Sequence, residues 1–155
     1  MAHDLERFVS AQGRDYDQVL AELRRGRKTS HWIWFIFPQI AGLGYSEMSR
    51  RFAIASLDEA RAYLAHPVLG PRLRECATLL LATDGRSADE ILGGIDAIKV
   101  RSSMTLFPRA APEEPVFRAV LDRFYGGIAD PATDERLGLP VRPDPRGSRP
   151  DDPRA

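Results

Sequence analysis

The apolar positions of this chain recur at helical spacing almost from end to end. Leu5, Phe8 and Val9 open an amphipathic turn expected to end near Gly13; Tyr16, Val19, Leu20 and Leu23 then share one face at offsets of three, four and seven residues. Gly26 loosens the end of that second segment. Two Ser-x-x-Glu patterns, Ser56-Leu-Asp-Glu59 and Ser87-Ala-Asp-Glu90, mark helix starts, because the serine hydroxyl accepts from an early backbone N–H while the glutamate reaches back to the cap. The first of these helices extends through Leu64 and stops before Pro67, and a leucine-rich helix follows from Pro71 to Leu81. Pro115 to Tyr125 carries Val116, Val120, Leu121 and Phe124 and is closed by Gly126-Gly127. Asp130-Pro131 has the form of an N-cap followed by proline at the first helical position, and opens a last short helix through Leu137.

The run Ser30-His-Trp-Ile-Trp-Phe-Ile-Phe-Pro-Gln39 interrupts this amphipathic pattern, being apolar on both faces and holding both tryptophans of the chain. No second segment of similar quality exists to pair with it as a strand, and a lone strand leaves its backbone groups unpaired. A short buried helix bounded by Pro38 is the expected form, with Ala41-Gly-Leu-Gly44 as a flexible loop. Such a segment is the centre of a core or the floor of a pocket.

From Pro140 onward the pattern stops. Five prolines, four arginines and three aspartates occupy the last sixteen residues, a composition that buries too little surface to offset its ordering entropy. The expected architecture is therefore all-α: a single compact domain of about seven or eight short helices over residues 3–139, followed by a disordered Pro/Arg/Asp-rich tail over 140–155. A chain of 155 residues is long enough to bury a self-sufficient core.

Charge and cysteine content narrow the functional classes. Lys plus Arg and Asp plus Glu each number 22, so no net field draws the chain to nucleic acid or membrane. The basic run Arg24-Arg25-Gly-Arg27-Lys28 could meet phosphate or a nucleic acid, but fits better a solvated helix end, where cations complement the helix dipole. The single cysteine, Cys76, excludes an internal disulfide or a thiolate cluster and falls at core spacing with Leu69, Leu73 and Leu80. Asp4, Glu6 and Arg7 stand where a signal peptide needs an apolar stretch, and no apolar run reaches bilayer-spanning length. The expected location is the cytoplasm.

The helix expected over Ile91 to Phe107 holds the candidate chemistry. On a helical wheel Asp96, Lys99 and Ser103 fall within an arc of roughly 60°, and Arg101 and Thr105 form a second narrow polar strip. Ile95, Ile98 and Leu106 surround Ser102. Polar groups threaded through a largely buried helix must be paired or functional. Two readings stand: an Asp96–Lys99 pair at i, i+3 on a partly wet surface, or a pocket wall in which a partly desolvated Lys99 acts as nucleophile or base. His31 shares a helical side with Trp34, Phe35 and Pro38. His66, before Pro67, is expected to cap a helix. The three histidines lack metal-site spacing, and no phosphate loop, dinucleotide fingerprint or serine-hydrolase elbow occurs; no metal or cofactor is expected.

Several phrases occur together: Asp4-Leu-Glu-Arg-Phe8 with Ala11-Gln12, His31-Trp-Ile-Trp-Phe-Ile-Phe-Pro-Gln39, His66-Pro-Val-Leu-Gly70, and Asp96-Ala-Ile-Lys99 with Ser102-Ser-Met-Thr-Leu-Phe107. In these the chain resembles, from about Asp4 to Leu139, an uncharacterised bacterial family described as a domain of unknown function and sometimes labelled calpastatin-like. The resemblance implies a compact α-helical fold and supplies no activity. Helical proteins that cleave ADP-ribose N-glycosidic bonds, with nucleotide-holding aromatics and a reactive lysine on a polar helix, offer an analogy of architecture alone. The leading expectation is a pocket for a small anionic, nucleotide- or ribose-phosphate-like ligand. Trp32, Trp34, Gln39, Arg101, Ser102 and Ser103 would bind it, and Lys99, Asp96 and His31 would carry any N-glycosidic hydrolysis. The rival is a non-catalytic protein-interaction module in which the aromatic run is core and the polar strip is structural.

Overall fold

The computed structural model describes residues 4–141, and the fold is all-α. Its described residues form α1 (Glu6–Arg25), α2 (Ile33–Ile36), α3 (Glu47–Arg51), α4 (Leu57–Ala65), α5 (Leu69–Ala82), α6 (Ala88–Leu92), α7 (Gly94–Ala110), α8 (Pro115–Tyr125) and α9 (Pro131–Arg136). That is nine helices where seven or eight were expected. The tail expected from residue 140 falls, beyond Val141, outside the described residues. No helix among the described residues is long and apolar enough to cross a membrane.

Two boundaries differ from the periodicity reading. The turn expected to stop near Gly13 is the first half of one 20-residue helix. Glycine costs a helix interior about 1 kcal/mol, but Gly13 faces open space, and Phe8 and Gln12 before it continue into Val19 and Leu23 after it as one buried stripe. The helix expected over Ile91 to Phe107 is two, divided at Gly93, whose φ of 86° is a conformation that only glycine adopts readily. Of the expected caps the serines and His66 act, whereas Asp130 stands at the N-cap position of α9 without a side-chain capping bond. Ser87 and Glu90 make a complete capping box. The Ser56 hydroxyl accepts from the Glu59 N–H, whereas the Glu59 carboxylate accepts from Ala55 N–H, one residue before the cap. His66 Nδ1 accepts from the N–H groups of Val68 and Leu69, filling the open start of α5.

Central to the domain is α7, which packs against α2, α4, α6, α8 and α9. Its face toward α4 and α8 belongs to a continuous aromatic chain, Phe35–Phe52–Phe8–Tyr63–Phe107–Phe117, with successive ring centroids 5.4, 5.6, 5.1, 5.5 and 5.8 Å apart. Such pairs add about 0.5–1.5 kcal/mol each beyond area burial. Cys76 lies fully buried in the same core; burial is the main cause that pushes its thiol up to about 12, which leaves it a packing residue.

The aromatic run is pinned rather than merely packed. As expected it is a short buried helix, α2, and Gln12 Nε2 of α1 donates both to the Phe35 carbonyl at 2.6 Å and to Tyr63 Oη at 2.9 Å. After Pro38 the chain makes one isolated parallel bridge, Ile40 to Ile54. Ile54 N–H donates to the Gln39 carbonyl and Ala41 N–H to the Ile54 carbonyl, both at 2.8 Å. This bridge closes the loop carrying Gly42, Leu43, Gly44 and α3 against α2.

Candidate functional site

The polar strip Asp96–Lys99–Ser103 on α7 faces the aromatic segment. Asp96 Oδ2 accepts an ion pair from Lys28 Nζ at 2.7 Å, and its Oδ1 lies 3.7 Å from Lys99 Nζ. The i, i+3 pair expected from the sequence is therefore present but loose, and a second lysine holds the carboxylate more closely. Each ammonium also lies over an indole: Lys28 Nζ 5.0 Å from the Trp32 ring centroid, Lys99 Nζ 4.8 Å from that of Trp34. Cation–π contacts of this length contribute about 0.5–2 kcal/mol, more as water is excluded. The Lys28 side chain is 6 % exposed and that of Lys99 17 %, so both bury their stems and hold their charges on the inner side of the strip.

The two tryptophans differ at their N–H groups. Trp32 Nε1 donates to Glu22 Oε1 at 3.1 Å. That fully buried carboxylate also accepts from the backbone of Thr29 and Ser30, the Ser30 hydroxyl and Gln18. Burial pushes the Glu22 carboxyl up, and the hydrogen bonds from Ser30, Thr29 and Gln18 together outweigh it and hold it down at about 2. Trp34 Nε1 is buried without a partner, as are Gln39 Nε2 and Ser103 Oγ. Trp34 and Gln39 line one narrow cleft, with about 10 Å³ of free space, together with Ile40, Gly42, Leu43, Gly44, Ser49 and Phe52. Trp34 thus joins the cleft to the lysine strip: its indole belongs to the cleft wall and carries Lys99 over its ring. An unpaired buried donor costs about 1–3 kcal/mol, so two in one cleft wall call for an acceptor there.

The other candidates go elsewhere. Arg101 Nε donates to the Ile128 carbonyl at 2.8 Å and Nη2 to that of Ala129 at 2.7 Å, binding α7 to the segment before α9. Ser102 Oγ donates to Asp130 Oδ2 at 2.7 Å, Thr133 Oγ1 to the same oxygen at 2.6 Å, and Asp130 N–H to Thr105 Oγ1 at 2.8 Å. Trp32 belongs with Glu22. His31 is exposed and makes no side-chain hydrogen bond or ion pair among the described residues. The structure therefore brings together Trp34, Gln39, Lys99, Asp96 and Ser103 along one face, and separates from them the group Arg101–Ser102. Among the described residues no group of three or more His, Cys, Asp and Glu is placed to hold a metal ion.

Two participants were not expected at this site. Lys28 belongs to the run Arg24–Lys28 but turns inward onto Trp32 and Asp96. Arg136, at the end of α9, lies against Gly42 of the cleft: a methyl group built on Gly42 would stand 2.8 Å from its Cζ and Nη1 and 3.0 Å from its Nε.

Residues 2–137 match the model of a family described as a protein of unknown function, DUF1810. A conserved hypothetical protein from Mycobacterium tuberculosis, Rv1873, whose crystal structure is known, is 50% identical. The match covers 88% of this chain and 98% of that one, with a TM-score of 0.86. Neither description carries the calpastatin label. No curated protein matches the chain significantly.

Proposed function

The chain belongs to this family of unknown function, and from the chemistry of the cleft we propose that it binds a small, acceptor-rich ligand of the ribose or ribose-phosphate type beside Trp34. The observation that carries this reading is the pair of partnerless buried donors, Trp34 Nε1 and Gln39 Nε2, in the wall of one cleft. Ligand pockets combine apolar walls with a few fixed polar groups; here Ile40, Leu43, Phe52 and the indole supply the wall and the two N–H donors the polar groups. The cleft as it stands has about 10 Å³ of free space, room for about one water, so the ligand would be admitted as the loop around Gly42–Gly44 draws back. Lys99 enters as a cationic anchor behind Trp34, since an acidic neighbour and an indole face are both partners for a cation. In the catalytic extension, cleavage of an N-glycosidic bond, Lys99 and Asp96 would act at the edge of that cleft, and His31 would have to turn in from the surface.

The two tryptophans provide the test. Protein labelled with 5-fluorotryptophan carries two fluorine resonances, assigned by Trp34→Phe. Titration with ribose, ribose 5-phosphate or a nucleoside monophosphate is expected to shift the Trp34 resonance and leave that of Trp32 in place. If no such compound moves Trp34, the ligand reading fails and the non-catalytic interaction module replaces it. Release of base from nucleosides or ADP-ribose, lost in Lys99→Ala, would support the catalytic extension; no release in the wild type removes it.

A further inference from the structure

A cation, Arg136, packs against Gly42, one of the residues that line the cleft. Arg136 makes no hydrogen bond or ion pair with any described residue, although acidic neighbours stand beside it in sequence. Its place is nevertheless fixed. Asp134, two residues earlier, is held by a two-pronged pair from Arg109 of α7, Nε to Oδ1 at 2.9 Å and Nη2 to Oδ2 at 3.0 Å. At the other end of α9, Asp130 takes the hydroxyls of Ser102 and Thr133. With α9 anchored at both ends, the Arg136 guanidinium comes to lie on Gly42, a residue that lines the same cleft as Trp34 and Gln39. It comes that close only because residue 42 has no side chain: φ is 95° there, and a Cβ would overlap the guanidinium.

A planar fork of N–H donors without a protein acceptor, packed on a residue that lines a cleft with two unpaired donors, is an arrangement for oxygen atoms bearing negative charge. We propose that Arg136 is an anion-recognition residue of this cleft and that its ligand carries an oxyanion, a phosphate or a carboxylate. The oxyanion sits toward Gly42 and the rest of the molecule toward Trp34 and Gln39. This assignment rests on the ligand reading above and narrows it to charged ligands. Lys99, on the far side of the indole, adds positive potential without being asked to touch the oxyanion.

The test uses the Trp34 fluorine resonance to measure dissociation constants for neutral ribose, ribose 5-phosphate, inorganic phosphate and the sugar acid ribonate. In the wild type the charged probes are expected to bind about tenfold or more tightly than ribose, the scale of one charge-assisted pair. Added salt is expected to erode that preference. Arg136→Leu is expected to reduce the charged probes to the affinity of ribose, and Arg136→Lys, which keeps the charge and loses the fork, to retain only part of the preference. Arg136 is exposed, so neither change threatens the fold. Equal binding of charged and neutral probes by the wild type, or a preference that survives Arg136→Leu, overturns the role of Arg136 and leaves the cleft reading standing. A Trp34 resonance that no probe moves overturns both. Phosphate and ribonate arms separate the two oxyanions.

Discussion

Helix α7 carries two adjacent buried serines, Ser102 and Ser103, and with the polar strips around them they have opposite fates. On one strip, Arg101 donates to the carbonyls of Ile128 and Ala129 and Thr105 accepts from Asp130 N–H, and beside it Ser102 donates to the Asp130 carboxylate; every one of these groups has a partner supplied by the segment that leads into α9. On the other, Asp96 is paired with Lys28 and Lys99, but Ser103, just as deeply buried as Ser102, has no partner, and the buried N–H groups of Trp34 and Gln39 are in the same condition. The tryptophans repeat the contrast, Trp32 tied to Glu22 and Trp34 untied. Polar groups of similar type, a residue or two apart, thus divide into those that hold the fold together and those that the fold leaves open. Unpaired buried donors lower stability, and proteins keep such groups mainly where function needs them.

Substitutions turn that contrast into numbers. The largest effect is expected at the paired tryptophan: Glu22→Ala strips the acceptor from Trp32, Thr29 and Ser30 at once and should lower unfolding free energy by about 3 kcal/mol in a denaturant titration. The same carboxylate sets a pH dependence. Held at about 2 in the fold against 4.5 ordinarily, it stabilises fully above about pH 5, and that contribution disappears as pH falls from about 4.5 toward 2. Glu22→Gln should flatten this acid limb, and an unchanged limb would remove Glu22 as its cause. Next, Ser102→Ala leaves Asp130 short of one donor and should lower stability by about 1–2 kcal/mol. The smallest effect has the opposite sign: Ser103→Ala removes a hydroxyl that satisfies nothing and should leave stability unchanged or raise it by up to about 1 kcal/mol. A loss at Ser103 as large as that at Ser102 would erase the distinction between the strips.

Much of this arrangement is legible in the chain, and the remainder has identifiable causes. The helical wheel separates Asp96, Lys99 and Ser103 from Arg101 and Thr105 because both strips are local in sequence. Which strip is paired is not local: Asp130 lies 28 residues from Ser102, and nothing in the spacing of α7 announces it. Lys28 belongs by composition to a solvated basic run, yet its long apolar stem lets the ammonium cross to Asp96, and only the packing of α1 against the aromatic segment reveals the pair. The break at Gly93 and the absence of one at Gly13 are two outcomes for the same residue type. They are decided by whether a buried stripe continues past the glycine or a new helix must start in another direction. Arg136 carries no signal at all, since its significance comes from where α9 docks.

The single bridge between Ile40 and Ile54 has a kinetic consequence. Two backbone hydrogen bonds close the loop from Ala41 to Ala53 at its ends; its far limb is also held by Arg7, which donates to the carbonyls of Arg51 and Ala53, and by Phe52 in the aromatic chain, so the near limb around Gly42–Gly44 is the lightly held part. Segments held so lightly open on their own, at a fraction of the free energy needed to unfold the whole domain. The amide hydrogens of Ala41 and Ile54 should therefore exchange with solvent through a local opening, sooner than those in the middle of α7. That opening of the near limb would be the door through which a ligand enters and leaves, with the two bonds of the bridge as its clasp.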